Sequence, residues 1–209
     1  RDGLSAFIVD TSTPGLAVGQ SNDMLGLRAT ETVDLLLSDC RVPTANLLGE
    51  MNQRFAIARA IVEGGRIDIA AQAVGIAEAC LAHSIAKAKD RRQFGRPIAE
   101  FEAIQWMVAD MSTEIDAARL LTFRAAAMRA KDGPGHEDGR LTLAASMAKL
   151  FASEAANRAA YNAVQIFGGH GYLTEYPVER LFRDARAMTL YEETSEIERL
   201  VIERELAKR

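Results

Sequence analysis

Apolar positions recur along this chain at two different periods, and the change falls near residue 53. Before it, Ser5-Ala6-Phe7-Ile8-Val9 is a short apolar run, Pro14-Gly15 marks a turn, and Leu16 to Gln20 is a second strand candidate. Thr32-Val33-Asp34-Leu35-Leu36-Leu37 is a third, ended by Ser38-Asp39, and Val42-Pro43 leads into a loop through Gly49. Three short strands with no helix have no partners for their faces. They predict the last part of a sheet whose first strands are absent.

From Phe55 onward the spacing is helical. Ile57, Ile61, Ile69, Ala73, Ile76, Cys80 and Ile85 predict a helix to about Lys89, interrupted at Gly64-Gly65. Two glycines inside a helix cost roughly 1 kcal/mol each against Ala, so the pair implies close approach by another group. Asp90 to Pro97 is a break marked by Gly and Pro. Ile104, Val108, Met111, Ile115 and Ala118 alternate steps of four and three, the seam of a second helix. Lys131 through Gly139 is a polar loop holding Gly133-Pro134-Gly135. An Ala-rich third helix runs from about Leu141 to Phe167 and ends at Gly168-Gly169. Thr174-Glu175-Tyr176-Pro177 opens a fourth, with Pro in the first turn and an apolar face of Val178, Leu181, Phe182 and Ala185. Ser195 and Glu198 have capping-box spacing, which makes Ser195 the expected N-cap of a fifth helix to about Lys208. The expected fold is mainly α: an up-and-down helical bundle over residues 53–209, preceded by a small β-sheet fragment over residues 1–52.

Composition narrows the function classes. The 209 residues are 48% hydrophobic, enough for a sizeable core, and the length suits one large domain or a domain plus a fragment. A net charge of −4 with no basic run points to no nucleic-acid or polyanion partner. Cys40 and Cys80 lie far apart with no CxxC, which suits a reducing compartment and offers no disulfide framework or zinc site. No apolar run approaches the roughly 18–20 residues that span a bilayer, and no signal-peptide pattern is present, so no membrane partner is expected. The chain opens with Arg1 and enters a strand almost at once, which predicts the C-terminal part of a longer protein.

Three stretches carry candidate chemistry. His83, His136 and His170 lack partners at metal-ligand spacing, and HExxH, Gly-x-Ser-x-Gly, P-loop and GxGxxG patterns are absent, so no metal site is expected. Gly168-Gly169-His170-Gly171 follows a helix, so it is either a cap with a tight turn or a place where backbone approaches a flat ligand. Arg91 to Gly95 is either a solvated loop with a buried Phe anchor or a site with guanidinium forks for phosphate and a ring for stacking. Glu192 and Glu193 fall in a short turn before a helix N-terminus, as solvated turn residues or as a general base held in a pocket.

Together these stretches are more specific. Arg91-Arg92-Gln93-Phe94-Gly95-Arg96-Pro97-Ile98, then Gln105 and Ala109-Asp110-Met111, then Ala163-Val164-Gln165-Ile166-Phe167-Gly168-Gly169-His170-Gly171-Tyr172, form the first part of an ordered set. Arg183-Asp184-Ala185-Arg186 and Tyr191-Glu192-Glu193-Thr194-Ser195-Glu196-Ile197 complete it. That order and spacing resembles the acyl-CoA dehydrogenase family over essentially the whole chain. Leu4 to Val9 and Leu25-Gly26-Leu27-Arg28-Ala29 resemble the end of the family's middle β-domain, and everything after about Gln53 its C-terminal helical domain.

The resemblance implies an FAD enzyme that removes two hydrogens from an acyl-CoA thioester to give the trans-2-enoyl-CoA. Glu192 matches the base that takes the α-proton while hydride leaves for flavin N5. Such a proton is weakly acidic, so the base should be desolvated with its pKa raised, and the enolate-like charge needs hydrogen bonds, one from the backbone N–H of the base. Arg91, Gln93 and Phe94 match contacts to FAD bound mainly to the neighbouring subunit, and Gln165, Gly168 and Gly169 match residues bordering its ADP half. Thr194 and Glu196 match contacts to the subunit's own FAD near a helix N-terminus. Arg66 matches a residue that touches CoA, and Glu63 stands where the family often has Asp. Branches such as isovaleryl-CoA dehydrogenase carry the base on the first long helix just before that Arg. The position is Gly65 here, too small to act, which favours Glu192.

Two residues depart from the family pattern. Glu193 replaces the usual Gly, where it would crowd the acyl thioester or set a second carboxylate beside the first and split their titration. Glu102 replaces a frequent Gln. The resemblance further implies an electron-transferring flavoprotein as acceptor, a homotetramer built as a dimer of dimers, and a bacterial cytoplasmic location, with the mitochondrial matrix as the alternative. Two other readings are an acyl-CoA oxidase-like enzyme, marked by rapid reaction of its reduced flavin with oxygen, and a non-catalytic helical interaction domain that binds no FAD.

Overall fold

A computed structural model describes residues 5–49, 51, 54–133 and 139–208. The boundary expected at 52/53, Leu4, Pro134-Gly135, His136 and the side chains of Phe55 and Ile57 lie outside the described residues.

Helices dominate. Helix α1 spans Arg54–Asp90, α2 Glu102–Asp132, α3 Arg140–Phe167, α4 Pro177–Ala187 and α5 Ser195–Ala207. Helix α3 lies at the centre and touches each of the other four. Its inward stripe is almost all small residues: Ala145, Ala148, Ala152, Ala156, Ala159, Ala160 and Ala163 are at most 1% exposed. Small side chains let neighbouring backbones close up, and larger residues on the facing helices fill the gaps. Met111, Ile115 and Ala118 of α2 enter the core as the seam predicts, as do Ala73 and Cys80 of α1. Burial pushes the Cys80 thiol up to about 12, so it stays a neutral apolar filler.

Helix α1 runs without a break through Gly64 and Gly65. The expected interruption is absent because two groups lie against the smooth patch. A Cβ on Gly64 would collide with the Arg129 guanidinium, and one on Gly65 with the Glu192 carboxylate. By length and composition Ala60–Asp90 could also cross a membrane. In this fold its apolar face packs into the bundle core instead.

The strands are short. Strand β1, Ala6–Phe7, pairs antiparallel with β4, Leu47–Leu48, and β2, Leu16–Ser21, pairs antiparallel with β3, Val33–Leu37. The β2–β3 register slips between Val18 and Ser21. Beyond them, the Leu25–Leu27 segment joins the strands to α4. The Leu27 N–H donates to Asp184 Oδ1 at 2.7 Å, and Arg183 Nη1 donates to the Leu25 carbonyl at 3.0 Å. Gly26 is pressed so closely onto α4 that a Cβ would stand 2.5 Å from the Arg183 carbonyl. Arg183 is itself held by a two-point ion pair with Glu179.

The connection from α1 to α2 is a β-hairpin rather than an open loop. Strand β5, Arg92–Gln93, pairs with β6, Arg96–Pro97, around Phe94 and Gly95, whose φ angles are +52° and +82°. Two successive positive φ values define the two-residue turn that matches strand twist. Phe at the first of these positions is unusual, since a side chain there is disfavoured.

Candidate active site

The turn between α4 and α5 carries the two candidate carboxylates. Met188 closes α4 and is fully buried. Leu190 and Tyr191 N–H groups both donate to the Ala187 carbonyl, which tightens the chain as it leaves the helix. Glu192 and Glu193 then take φ +49° and +78° in succession. Thr194, not Ser195, is the N-cap of α5, and no side-chain cap bond forms. The expected capping box is absent because Glu198 reaches away from the helix end. It accepts from Arg66 Nε at 3.1 Å. Ser195 N–H donates instead to the Thr189 carbonyl at 3.1 Å.

Glu192 projects over α1. A Cβ built on Gly65 would stand 2.5 Å from Glu192 Oε2 and 2.8 Å from its carboxyl carbon. The turn carboxylate therefore fills the space that a larger residue at 65 would occupy. The Glu192 side chain is exposed, so this chain's own residues do not desolvate it. Its backbone N–H has no acceptor among the described residues. Tyr191 beside it donates to Gln72 Oε1, and burial raises its phenol above the ordinary value, with the Glu192 charge adding to the effect.

Glu193 points the other way. Its carboxylate pairs with Arg66 Nη2 and its carbonyl accepts from Lys149 Nζ. This corrects the expectation that Glu193 crowds the acyl pocket or sits beside the Glu192 charge: a buried guanidinium attracts it inward. Arg66 is 4% exposed and clamped between Glu193 and Glu198, so it is not presented to a ligand as the CoA expectation required. Glu63 is also fully buried, accepting from the Thr142 hydroxyl inside the bundle. Burial lowers the Lys149 ammonium, against the pull of Glu198 and Glu193, and raises the Glu198 carboxyl, against Arg66. Ser146 packs beside Glu198, and Ser195 Oγ is buried near this group without a partner among the described residues.

The cofactor candidates divide into four places. Arg91, Gln93, Gly168 and Gly169 share one cleft of about 380 Å³ with Ile98, Phe167 and His170. Phe94 stands at the hairpin tip, 93% exposed, so it is no buried anchor. Gln165 lines a separate cavity of about 370 Å³ with Tyr161, Tyr172 and Phe182. Thr194 and Glu196 sit at the α5 N-terminus, where the Glu196 backbone N–H holds its carboxyl below the ordinary range, with Thr194 assisting. Gly168 caps α3 at φ +60°, which accounts for glycine there, yet neither Gly168 nor Gly169 has any atom within 4 Å of where a Cβ would stand. Glu102 is exposed in the first turn of α2. Among the described residues no group of three or more His, Cys, Asp or Glu converges as metal ligands would.

Lys149 is not singled out by the sequence, and Glu198 only as a capping-box partner of Ser195. Lys149 did carry a signal, as a cation at helical spacing from Ala145, Ala152 and Ala156 on a stripe that is otherwise small.

The family model described as "Acyl-CoA dehydrogenase, C-terminal domain" matches residues 52–207. The chain belongs to the acyl-CoA dehydrogenase family. Among relatives from this family, the protein named "Probable acyl-CoA dehydrogenase YngJ" of Bacillus subtilis is 51% identical over 205 residues, which are 98% of this chain and 52% of that protein. The solved butyryl-CoA dehydrogenase from Megasphaera elsdenii is 42% identical with a TM-score of 0.93, over 99% of this chain and 52% of that one. An acyl-CoA dehydrogenase from Bacillus anthracis, solved in complex with FAD, is 32% identical with a TM-score of 0.90, over 98% of this chain and 37% of that one. The chain thus spans about half the length of these acyl-CoA dehydrogenase relatives, apart from the longer B. anthracis protein.

Proposed function

We propose that the enzyme containing this chain dehydrogenates an acyl-CoA thioester between Cα and Cβ with FAD, and that Glu192 is the base. The observation that carries this is the seat of the Glu192 carboxylate over Gly65. That carboxylate is exposed beside its own unengaged backbone N–H, and among the described residues the atoms nearest a Cβ at Gly65 are all its own. An α-proton would pass to a Glu192 carboxylate oxygen, while the Glu192 N–H is available for the charge that develops on the thioester oxygen. Desolvation, which raises a carboxyl pKa toward that task, must come from bound acyl-CoA and from residues outside this chain.

The Arg91–Gly169 cleft fits a flat anionic cofactor. Arg91 is exposed and makes no ion pair among the described residues, and the two glycines leave open space beside it. FAD, when bound, supplies the hydride acceptor at N5. On this reading Arg91, Gln93 and Phe94 reach FAD held by a neighbouring subunit in a homotetramer, and Gln165, Gly168 and Gly169 border its ADP half. Thr194 and Glu196 reach the subunit's own FAD. An electron-transferring flavoprotein is the acceptor, and the enzyme is cytoplasmic.

Glu192→Gln in the full-length enzyme tests the assignment. The variant should retain FAD and lose flavin bleaching by acyl-CoA, followed anaerobically. An unchanged rate of bleaching would overturn the assignment.

A further inference from the structure

We propose that Glu193 is a positioning residue: its carboxylate on Arg66, together with Lys149 on its carbonyl, holds a left-handed turn that keeps the Glu192 carboxylate over Gly65. The inference rests on Glu192 being the base.

Two side-chain-bearing residues in a row at positive φ, +49° and +78°, form a backbone that does not persist unaided. Short polar residues enter this region with the help of local hydrogen bonds, and glutamate has no such help. Something outside the turn must hold it. Three helices supply that hold. Arg66 comes from α1, Lys149 from α3, and Glu198 from α5. Arg66 Nη2 takes the Glu193 carboxylate while its Nε is fixed at 3.1 Å on Glu198 Oε1. Lys149 is fully buried and its ammonium donates to the Glu193 carbonyl, the one backbone acceptor of the turn it reaches. Side chain and main chain of Glu193 are thus each anchored to a different buried cation.

The arrangement is mutual. A buried cation left without its partner carries a large desolvation cost, so Arg66 and Lys149 need Glu193 as much as the turn needs them. The direction of the Glu193 side chain also settles that of its neighbour. With 193 drawn inward on one side, the adjacent carboxylate of Glu192 is turned outward over α1, onto the smooth patch at Gly65. A clamp of this kind acts on where the base stands, and small displacements of a reacting group are expensive in rate.

Glycine and alanine at 193 separate this role from simple stability. Alanine keeps the disfavoured φ and removes the carboxylate half of the clamp, leaving Lys149 on the backbone carbonyl. Glycine removes the same half and also the need for it, because it adopts φ +78° freely. In the FAD-loaded full-length enzyme, butyryl-CoA serves as probe and flavin bleaching is followed by anaerobic stopped flow. Glu193→Ala should slow bleaching at saturating butyryl-CoA by about tenfold, with half-saturation within about twofold of the parent. Glu193→Gly should recover to within about threefold of the parent rate. If the alanine variant does not retain FAD, Glu193→Met, of similar length but with no carboxylate for Arg66, is read by the same limits. The proposal is overturned if the alanine variant bleaches within about twofold of the parent, or if glycine is as slow as alanine. Glu192→Gln is run alongside. Bleaching by that variant removes the base reading itself, whereas a normal Glu193→Ala beside a dead Glu192→Gln removes only the clamp.

Discussion

Helix α3 and strand β3 both carry runs of apolar residues, and they place them oppositely. Along α3, Ala145, Ala148, Ala152, Ala156 and Ala160 meet other helices and are at most 1% exposed. Along β3, Leu35, Leu36 and Leu37 are 62%, 59% and 67% exposed. Successive strand residues face opposite sides, so these leucines are bare on both faces of a two-stranded ribbon. A strand apolar on both faces is built to be covered on both. The bundle completes its own core from this chain's residues, and the strands do not. Phe7, Ile8 and Val18, at 43%, 63% and 55% exposed, extend the same bare surface.

Three substitutions on this chain test that contrast, in descending order of effect. Ile115→Ala opens a hole where α2 meets the core, at a residue 2% exposed, and should cost about 2–5 kcal/mol in urea or thermal unfolding. A cost under about 1 kcal/mol would mean that the bundle is loosely packed there. Gly26→Ala probes the junction between the two regions. Its methyl would meet the Arg183 backbone at 2.5 Å and should cost about 1–3 kcal/mol. Hydrogen exchange at the Leu27 amide should then quicken, because its bond to Asp184 is displaced. Unchanged protection would detach the strands from α4 as a structural unit. Leu36→Ser should change stability by no more than about 0.5 kcal/mol. A loss comparable with that of Ile115→Ala would show that β3 is covered within this chain after all.

The helices were legible because a buried helix stripe repeats over many turns. Met111, Ile115 and Ala118 lie where their spacing puts them. Pro177 at the start of α4 and Gly168 at the end of α3 were legible from local backbone chemistry. What was not legible depended on partners distant in sequence. The Ser195–Glu198 spacing reads as a capping box until Arg66, 132 residues from Glu198, takes the carboxylate. The sequence shows the β5–β6 hairpin only as a loop, because its turn places Phe where Asn or Asp would give the signal. Glu193 stands out in the sequence as a departure, but only the fold shows that it faces Arg66 rather than Glu192. The glycine pair implies close approach from sequence alone, while what approaches, Arg129 at one and Glu192 at the other, is set by the fold.

The space above Gly65 holds a single tenant. A side chain at 65 meets the far end of the Glu192 side chain, and the carboxylate has to swing aside to admit it. An acid moved from the turn to the helix would therefore share this space with Glu192 until that residue also changed. An acid added at 65 alone meets the resident carboxylate before it is useful, and removing Glu192 alone leaves the spot empty. Two positions far apart in the chain, 65 and 192, thus share control of what occupies this space.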